Sequence, residues 1–450
     1  MKSILFIIPW KRSVVSCNDF DYATSPERAP ENVVSLATYL RSKGASVHIA
    51  DMTRLMVLSQ GNLSEALELL WEQCQSFNPD VIGFSFFTAR FEAAKQILEF
   101  LNDKYGTSKP LMIAGGVHPT LLPDLTLEYM SLDALVIGEG EIPLVKLLKS
   151  DSYQEIPGLY TREQRVLTNA ECLSDLDDIP FTDWTLIDRN FYLQPSYQIS
   201  NTRLDVVMPI TFGRGCMYRC NFCAHNSFLK PRCHSPEYFV KMMQHTAELC
   251  EIDTFIIQDS SIGNFKTEWK KVCQLLISSN CNFKWWANLR ANQVDEDFLI
   301  LLKQAGCIKL FFGFESGSPE LLRQMNKKET VEHFIMAAEL CHKVGMPFYT
   351  SYIINYPGET EKDLLMTEQL IQRTKPTSLS INEFSPIPGS LDYERLKDVL
   401  VPYLKNIRDW SNLGMLLSPV KFSSLSEERY EYWKNRLKAL KRGINANEDI

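Results

Sequence analysis

In the first 150 residues, short strand-like apolar runs alternate with segments whose hydrophobic residues have helical spacing. Short, nearly continuous apolar runs are typical of buried parallel strands, and five of them occur: "SILFIIP", "SVHIAD", "DVIGFSF", "PLMIAGG" and "ALVIGEGE". Segments with helical spacing separate them, such as "PENVVSLATYLRSKG", in which Gly44 is a predicted C-cap, and "ARFEAAKQILEFLNDKYG". This alternation predicts an α/β domain over 1–150, a doubly wound parallel sheet of five strands. Ligands of such sheets bind at the carboxyl ends of the strands.

The alternation of strand-like and helix-like segments stops over 151–204, which we interpret as a linker. A second alternating series begins at 205. Its six apolar runs are "VVMPITFGRG", "TFIIQDS", "FKWWANLR", "IKLFFGFES", "PFYTSYIINYP" and "SLSINEFSP", with helical segments between them. They predict an open, partial (β/α)6 barrel over 205–395 with its active face at the strand carboxyl ends. The remainder, 396–450, is charged and is predicted to form a small helical carboxyl-terminal region.

Charge and composition narrow the partners. The formal net charge of -8 argues against a broad basic surface for nucleic acid. The chain has no apolar stretch near the roughly 20 residues of a membrane span, so we expect a cytoplasmic protein with no nucleic-acid partner. In that compartment the 12 cysteines are mostly reduced, and a close group of them indicates a metal or catalytic site.

Such a group exists in the loop after the first strand of the second series. Cys216, Cys220 and Cys223 lie within a span of eight residues, in a segment that is rich in Gly and Arg. Structural zinc normally takes four ligands, and a Cys3His site completed by a nearby residue is one interpretation (His225, Cys233 and His234 are close in sequence). The other is a 4Fe-4S cluster whose three protein thiolates leave one iron open for a ligand.

The spacing Cys-x3-Cys-x2-Cys, with Phe222 before the last cysteine, resembles the radical S-adenosylmethionine (SAM) enzymes. The resemblance implies that the open iron binds the methionine part of SAM. One electron from a donor such as flavodoxin or ferredoxin then yields a 5'-deoxyadenosyl radical.

Further segments match this family in order along the six strands, although each alone could be a turn with a buried or solvated polar residue. "IIQDSS" lies where the family has Gly-Gly-Glu, which implies a SAM contact by Gln258 and Asp259. "GFESG" implies ribose contacts by Glu315 and Ser316, and Asn288 and Arg290 would reach the sugar or the carboxylate. "NYPGET" resembles the Pro-Gly-Glu-Thr loop, and Pro386 in "SPIPGS" lies in the segment expected near the adenine.

The amino-terminal sheet lacks a GxGxxG fingerprint after its first strand. Its strand ends instead carry Ser85, the pair Gly115-Gly116, and the "GEGE" segment with Gly138 and Glu139. Adjacent glycines permit close approach of a bulky ligand. This set resembles the cobalamin-binding domain that precedes many radical SAM barrels. The Asp-x-His-x-x-Gly motif, which supplies a histidine to cobalt in cobalamin-dependent mutases, is absent. Position alone suggests Trp10, Lys11 or Arg12 under the cobalt; a vestigial sheet without corrinoid is the alternative.

Together these features predict a cobalamin-dependent radical SAM enzyme that methylates an unactivated carbon of a small-molecule, lipid or peptide substrate. A cyclase, ring-contraction or other rearrangement enzyme with the same cofactors remains open, as does a non-enzymatic, zinc-stabilised corrinoid-binding module. Methylthio transfer is discounted because it would require extra amino-terminal cluster cysteines, and 1–150 holds only Cys17 and Cys74. The sequence identifies no catalytic acid or base.

Overall fold

A computed structural model of the chain describes residues 1–10, 28–152, 156–165, 171–193, 206–224, 230–400 and 420–446. Two compact units emerge, the first over the described residues of Met1–Tyr192 and the second over those that follow. No helix in these ranges is long and apolar enough to cross a membrane.

The first unit is built on a six-stranded sheet with the order β2-β1-β3-β4-β5-β6. All neighbouring strands pair in parallel except β5 and β6. Buried Ile, Leu, Val and Phe residues fill its strands. The strands are β1 (Ile4–Ile8), β2 (Val47–Asp51), β3 (Val81–Ser85), β4 (Leu111–Gly115), β5 (Ala134–Val136) and β6 (Leu159–Tyr160).

Helices α1 to α7 connect these strands. Side chains cap two of them: Asp51 accepts from Thr53 N at 2.8 Å before α2, and Asn62 accepts from Glu65 N at 3.3 Å before α3. Helix α1 ends at Ser42 and its C-cap is Lys43; Gly44, which the sequence predicted as the C-cap, follows with φ 94°. The helices are α1 (Glu31–Ser42), α2 (Met52–Leu58), α3 (Leu63–Phe77), α4 (Phe91–Tyr105), α5 (Val117–Leu121), α6 (Pro123–Tyr129) and α7 (Glu141–Lys149).

The predicted five parallel strands are confirmed, with one addition. Strand β6, within the predicted linker 151–204, extends the sheet because Leu135 and Val136 of β5 pair antiparallel with it. The same stretch contributes a short helix, α8 (Arg189–Tyr192), and Asp183, which pairs with Arg41 of α1 at 3.0 Å. A two-residue strand gives too short a pattern to recognise from sequence.

The second unit contains the predicted partial barrel. Its six-stranded sheet has the order β14-β13-β12-β11-β10-β7, and every neighbouring pair is parallel, so β7 and β14 form open edges. A separate antiparallel pair, β8 (Gly213–Arg214) and β9 (Arg232–Cys233), follows β7. The barrel strands are β7 (Met208–Ile210), β10 (Thr254–Ile257), β11 (Lys284–Asn288), β12 (Cys307–Glu315), β13 (Phe348–Ile354) and β14 (Ser378–Glu383).

Helices cover this sheet, and polar residues fix where several of them begin. Ser235, Asp295 and Ser318 each accept a backbone N–H in the first turn of the helix that follows. Thr330 and Thr360 begin two further helices with reciprocal capping boxes. The helices are α9 (Pro236–Cys250), α10 (Lys266–Ser278), α11 (Glu296–Gln304), α12 (Pro319–Gln324), α13 (Val331–Val344), α14 (Glu361–Thr374) and α15 (Leu391–Leu400).

The open edge at β14 is covered by the carboxyl-terminal helix α16 (Glu427–Asn445). Asn445 takes the place of a neighbouring strand: its Oδ1 accepts from Leu379 N at 2.9 Å and its Nδ2 donates to Leu379 O at 3.2 Å. Ion pairs add to the docking, among them Arg436 with Glu368 at 2.7 Å. Covering an edge strand in this way prevents it from pairing with another chain.

Candidate functional site

The cysteine loop starts from an aromatic anchor in the core. Phe212, fully buried directly after β7, packs against Phe239 and Trp269 with ring centroids 5.0 and 5.1 Å away. Asp259, at the end of β10, accepts hydrogen bonds on Oδ1 from Phe212 N at 2.9 Å and Gly213 N at 3.0 Å. The Asp259 carboxylate therefore fixes the direction in which the chain leaves the barrel.

Two glycines allow the loop to fold tightly. A Cβ at Gly213 would lie 2.5 Å from the Phe265 ring, and a Cβ at Gly215 would lie 2.9 Å from the backbone of Lys230. Gly215 also has φ 85°, which favours glycine. Side chains at either position would push the cysteines away from the strand ends.

The far end of the loop is tied to the carboxyl end of α12. Asn221 donates from its backbone to Met325 O at 2.9 Å and from Nδ2 to Gln324 O at 2.6 Å. Asn326 Nδ2 donates in return to Arg219 O at 2.6 Å. Sequence reasoning missed Asn221, although an amide side chain between two cysteines of the group was a usable signal.

The three cysteines differ in exposure. Cys220 is buried, whereas Cys216 and Cys223 are half-buried. Cys223 N donates to Cys220 O at 3.2 Å, so the second and third cysteines lie in one turn. Among the residues that the structure describes, no three Cys, His, Asp or Glu side chains form a group that could hold a single metal ion. His225 lies outside those residues.

Arg290 meets the loop from beyond the end of β11. Its Nη1 donates to Cys220 Sγ at 3.7 Å, and its Cζ lies 3.7 Å from the centre of the Tyr218 ring. Its Nη2 pairs with Glu329 Oε2 at 2.9 Å and donates to the Lys327 carbonyl. The guanidinium is thus held from several sides beside a cluster cysteine.

A buried charge network surrounds this arginine. Lys327 Nζ lies 3.1 Å from Glu315 Oε1 and 3.4 Å from Glu329 Oε2. Burial alone would lower the pKa of Lys327, but attraction to Glu315 and Glu329 outweighs it and raises the pKa. Lys327 therefore stays protonated within the network.

The other residues predicted at the strand ends occupy different environments. Gln258 and Asn288 are exposed, and Asn288 Nδ2 donates to Asp259 O at 2.9 Å. Glu315 is buried at φ 62°, an uncommon conformation for a residue other than glycine, at the point where the β12–β13 register shifts. Ser316 is fully buried and lies within 3.4 Å of Thr367 in α14.

The predicted adenine segment borders an apolar cluster of Leu321, Met325, Tyr356 and Phe384, against which Phe222 of the cysteine loop packs. Pro386 is buried beside it in sequence. The hydroxyl of the adjacent Ser385 is buried and has no hydrogen-bond partner among the described residues. An apolar surface with one free hydroxyl suits a heteroaromatic ring with polar edges.

The "NYPGET" loop after β13 has a second role that the sequence did not reveal. Asn355 Oδ1 accepts from Phe422 N at 2.8 Å and Ser423 N at 3.1 Å, while its Nδ2 donates to Val420 O at 2.8 Å. Glu359 accepts from Asn355 N at 2.7 Å. Burial raises the pKa of Glu359 to about 8, and the nearby Asp363 adds to this. The loop thus holds the segment that leads into α16.

In the first unit, the predicted residues lie at the carboxyl ends of neighbouring strands. Ser85 of β3 pairs in register with Gly115 of β4. Gly116 has φ 97°, and a Cβ there would lie 3.0 Å from Phe86 O, whereas a Cβ at Gly115 would meet only ordinary contacts, at 3.5 Å from Val136. Side-chain-free backbone and a hydroxyl therefore form one edge of the sheet.

The flanking strand ends carry the remaining predictions. Trp10, after β1, is buried, and Arg90 donates to the neighbouring Pro9 carbonyl at 2.6 Å. Gly138, after β5, has φ 80° and donates its N–H to Thr120 Oγ1 at 3.0 Å; Glu139 is half-buried. Lys11 and Arg12 lie outside the described residues.

His118 is a residue of this edge that sequence reasoning passed over, although it stands only two residues after Gly116. It is fully buried, its Nδ1 lies 3.0 Å from Thr88 Oγ1, and its ring stacks on Phe91 at 4.4 Å. Burial lowers the pKa of His118 to about 3, so the ring is neutral. Its backbone N–H donates to Phe86 O at 3.3 Å, which fixes the turn that contains Gly116.

These arrangements fit three groups. Soft thiol donors beside a buried cation suit an iron–sulfur cluster. Exposed amides and the buried Ser385 hydroxyl at the barrel strand ends suit the polar groups of a nucleoside–amino acid conjugate. The Gly115-Gly116 edge with Ser85 leaves room for a bulky ligand that approaches the backbone closely.

Comparisons with known proteins agree with these fits. Residues 29–148 match the B12 binding domain, and residues 210–371 match the radical SAM superfamily. An uncharacterized methyltransferase of Pyrococcus horikoshii is 26% identical over 340 residues, 71% of this chain and 70% of that protein. The anaerobic magnesium-protoporphyrin IX monomethyl ester cyclase of Rubrivivax gelatinosus is 25% identical over 386 residues, 82% of this chain and 66% of that protein.

The fold has a solved counterpart. The structure of the radical SAM methyltransferase TsrM from Kitasatospora setae, with cobalamin and a 4Fe-4S cluster bound, superposes with a TM-score of 0.67 at 17% identity. The match covers 89% of this chain and 76% of that one. At this identity it establishes a shared fold.

Proposed function

Because the chain belongs to the radical SAM enzymes that carry an amino-terminal B12-binding domain, we propose that it methylates an unactivated carbon of a small-molecule substrate. Its cofactors are a 4Fe-4S cluster, SAM and cobalamin. When bound, these groups supply a hydrogen-abstracting radical and a methyl donor. The observation that carries the proposal is that one chain combines a three-thiol loop at barrel strand ends with a glycine-edged B12-binding sheet.

In this proposal Cys216, Cys220 and Cys223 bind the cluster, and the chain's own hydrogen bonds position them. Asp259 holds the start of the loop through two backbone N–H groups, and Asn221 holds its end on α12. Such anchoring matters because the substrate and the radical source must be held within a narrow geometry.

We assign the residues that would contact SAM from their solvent exposure and from their position at the barrel strand ends. Gln258 and Asn288 present amide groups at the ends of β10 and β11, where the amino acid part of SAM would lie. The cluster packed against Phe222 and the Ser385 hydroxyl would take the adenine. The apolar wall also excludes water, which protects a reactive radical from quenching.

For cobalamin we propose the edge formed by Ser85, Gly115 and Gly116, with Trp10, Gly138 and Glu139 on the adjoining strand ends. Phe86 and neutral His118 support this edge, because Phe86 N donates to Gly115 O and His118 N donates to Phe86 O, both at 3.3 Å.

The first test needs no substrate. Anaerobically reconstituted protein should hold about four iron and four sulfide per chain and should release 5'-deoxyadenosine from SAM on reduction by dithionite or flavodoxin. Cys220→Ala should abolish that release, whereas Cys281→Ala, which changes a half-buried cysteine outside the loop, should not. Stoichiometric zinc without iron, or equal release from both variants, would contradict the proposal.

Methyl transfer has its own test. With methyl-labelled SAM and hydroxocobalamin, the reconstituted protein should form labelled methylcobalamin, and label should then enter a product when small-molecule extracts are supplied. The cyclase relative, which matches 82% of this chain, supports a rearrangement or cyclisation as the second candidate. A substrate-derived product that contains no SAM methyl label would favour that candidate over methylation.

A further inference from the structure

Arg290 occupies a position that its place after β11 did not reveal. The sequence suggested a contact with the sugar or carboxylate of SAM. The structure instead puts its Nη1 at 3.7 Å from Cys220 Sγ and its Cζ at 3.7 Å from the Tyr218 ring centre. Both contacts are with the cysteine loop itself.

The guanidinium is fixed in this place from behind. Its Nη2 pairs with Glu329 Oε2 at 2.9 Å and donates to the Lys327 carbonyl, both in the segment between α12 and α13. Arg290 is only 8% exposed, so its side chain cannot swing into solvent without breaking all of these contacts. A planar, permanently charged fork held in this way suits a fixed electrostatic role.

One nitrogen of the guanidinium group, Nε, has no partner in the described part of the chain. The Nε–H of Arg290 is buried and donates to no residue that the structure describes. A buried donor without a partner costs free energy unless a bound group accepts from it. Since the neighbouring Nη1 already reaches Sγ of Cys220, which would bind the cluster, sulfur atoms of an inserted cluster would be the candidate acceptors for this N–H.

We propose that Arg290 is a positioning residue for the cluster, contacts its sulfur atoms rather than the SAM carboxylate, and raises its reduction potential. This rests on the proposed function, because it requires the cluster at Cys216, Cys220 and Cys223. The reaction concerned is the uptake of one electron by the cluster from a donor of the flavodoxin or ferredoxin class, in which no bond of the chain forms or breaks.

The sign of the effect follows from charge. Reduction adds one negative charge to the cluster, so a fixed cation beside it and hydrogen bonds to its sulfurs favour the reduced state. Glu329 opposes this, because its carboxylate lies 2.9 Å from the same guanidinium. Removing the two charges should therefore move the potential in opposite directions.

The experiment is a redox titration of reconstituted full-length protein without SAM, followed by electron paramagnetic resonance. Arg290→Gln should lower the ratio of reduced to oxidised cluster at a given applied potential about tenfold, which is about 59 mV for a one-electron couple. Arg290→Lys, which keeps the charge, should shift it less, and Glu329→Gln should shift it to higher potential. Arg373→Gln is the matched control, because Arg373 is exposed near the end of α14.

The outcomes separate the two proposals. Wild-type protein that takes up no iron and sulfide overturns the proposed function and this inference with it. Iron-loaded Arg290→Gln that has the same midpoint as the Arg373→Gln control overturns this inference alone, and weaker binding of labelled SAM in equilibrium dialysis would then return Arg290 to a SAM contact. If Arg290→Gln does not fold or load, Glu329→Gln decides: a raised midpoint supports the inference, and an unchanged or lowered one overturns it.

Discussion

Glu359 makes the stability of the second unit depend on pH in a direction opposite to that of most carboxylates. It is 1% exposed and accepts from Asn355 N at 2.7 Å, with Asp363 nearby. Burial raises its pKa to about 8 from an ordinary value near 4.5. The folded protein therefore binds a proton here that the unfolded chain releases above about pH 4.5.

The sign follows from this difference in bound protons. The contribution of Glu359 is fully present below the unfolded pKa and is lost as pH rises toward 8, so the free energy of unfolding falls across that window. Above pH 8 the loss in the free energy of unfolding that is due to Glu359 reaches a limit of about 5 kcal/mol, which follows from the separation between the folded and unfolded pKa values. Glutamine keeps an acceptor for Asn355 N and never ionises. Glu359→Gln should therefore match the wild type near pH 4.5 and exceed it increasingly up to pH 8.

Thermal unfolding of reconstituted full-length protein at about pH 5.5, 7 and 8.5 measures this, since a pKa near 8 titrates within that range. The control is Glu361→Gln, two residues away. Its exposed carboxylate pairs with Arg429, which lowers its pKa, so the stability difference from wild type should stay constant over the same pH values. A melting-temperature difference for Glu359→Gln that does not grow from the lowest to the highest pH would refute the reasoning.

Two further predictions concern the cofactor edges. Gly115→Ala should leave thermal unfolding unchanged, because its Cβ meets only contacts of 3.5 Å. The same variant should weaken hydroxocobalamin binding at least roughly tenfold, because the added methyl group blocks close approach of the ligand. Gly116→Ala should instead destabilise the first unit by about 1–3 kcal/mol, because φ is 97° at that position. Wild-type corrinoid binding by Gly115→Ala, followed by absorption titration, would count against the proposed edge. Asp259→Ala should reduce the iron retained per chain, because two backbone N–H groups at the start of the cysteine loop lose their acceptor. Asp259→Asn keeps that acceptor and should retain more iron. Equal iron in both variants would show that the Asp259 side chain does not hold the loop.

The sequence was sufficient for the two sheets and for the position of the cysteine loop. Continuous apolar runs are local signals. Five of the six barrel strands lie within their predicted segments, and β12 begins one residue earlier, at Cys307. The strand β6 was missed because two residues carry no period, and its pairing with Leu135 and Val136 is a tertiary contact.

Roles at the site were harder to predict than positions. Asp259 was placed correctly at the end of β10, but the sequence could not show that its Oδ1 would be taken by Phe212 and Gly213 of another strand end. Ser316 likewise stands in the expected ribose segment, but the sequence could not show that it would lie within 3.4 Å of Thr367 in α14. Contacts between individual side-chain atoms depend on the directions that the side chains take after packing. A single sequence does not specify those directions.

The network of Arg290, Lys327, Glu315 and Glu329 illustrates the same limit and gives a reason for its presence. Its formal charges cancel, and its members come from three separate parts of the chain. Buried ion pairs stabilise a fold no better than apolar residues of similar volume, so stability alone does not account for four buried charges at one place. Arg290 is the member that contacts Cys220, while both carboxylates pair with the cations. The network therefore presents a positive group to Cys220 Sγ and keeps the carboxylates on its other contacts, which prepares the loop for an anionic cluster.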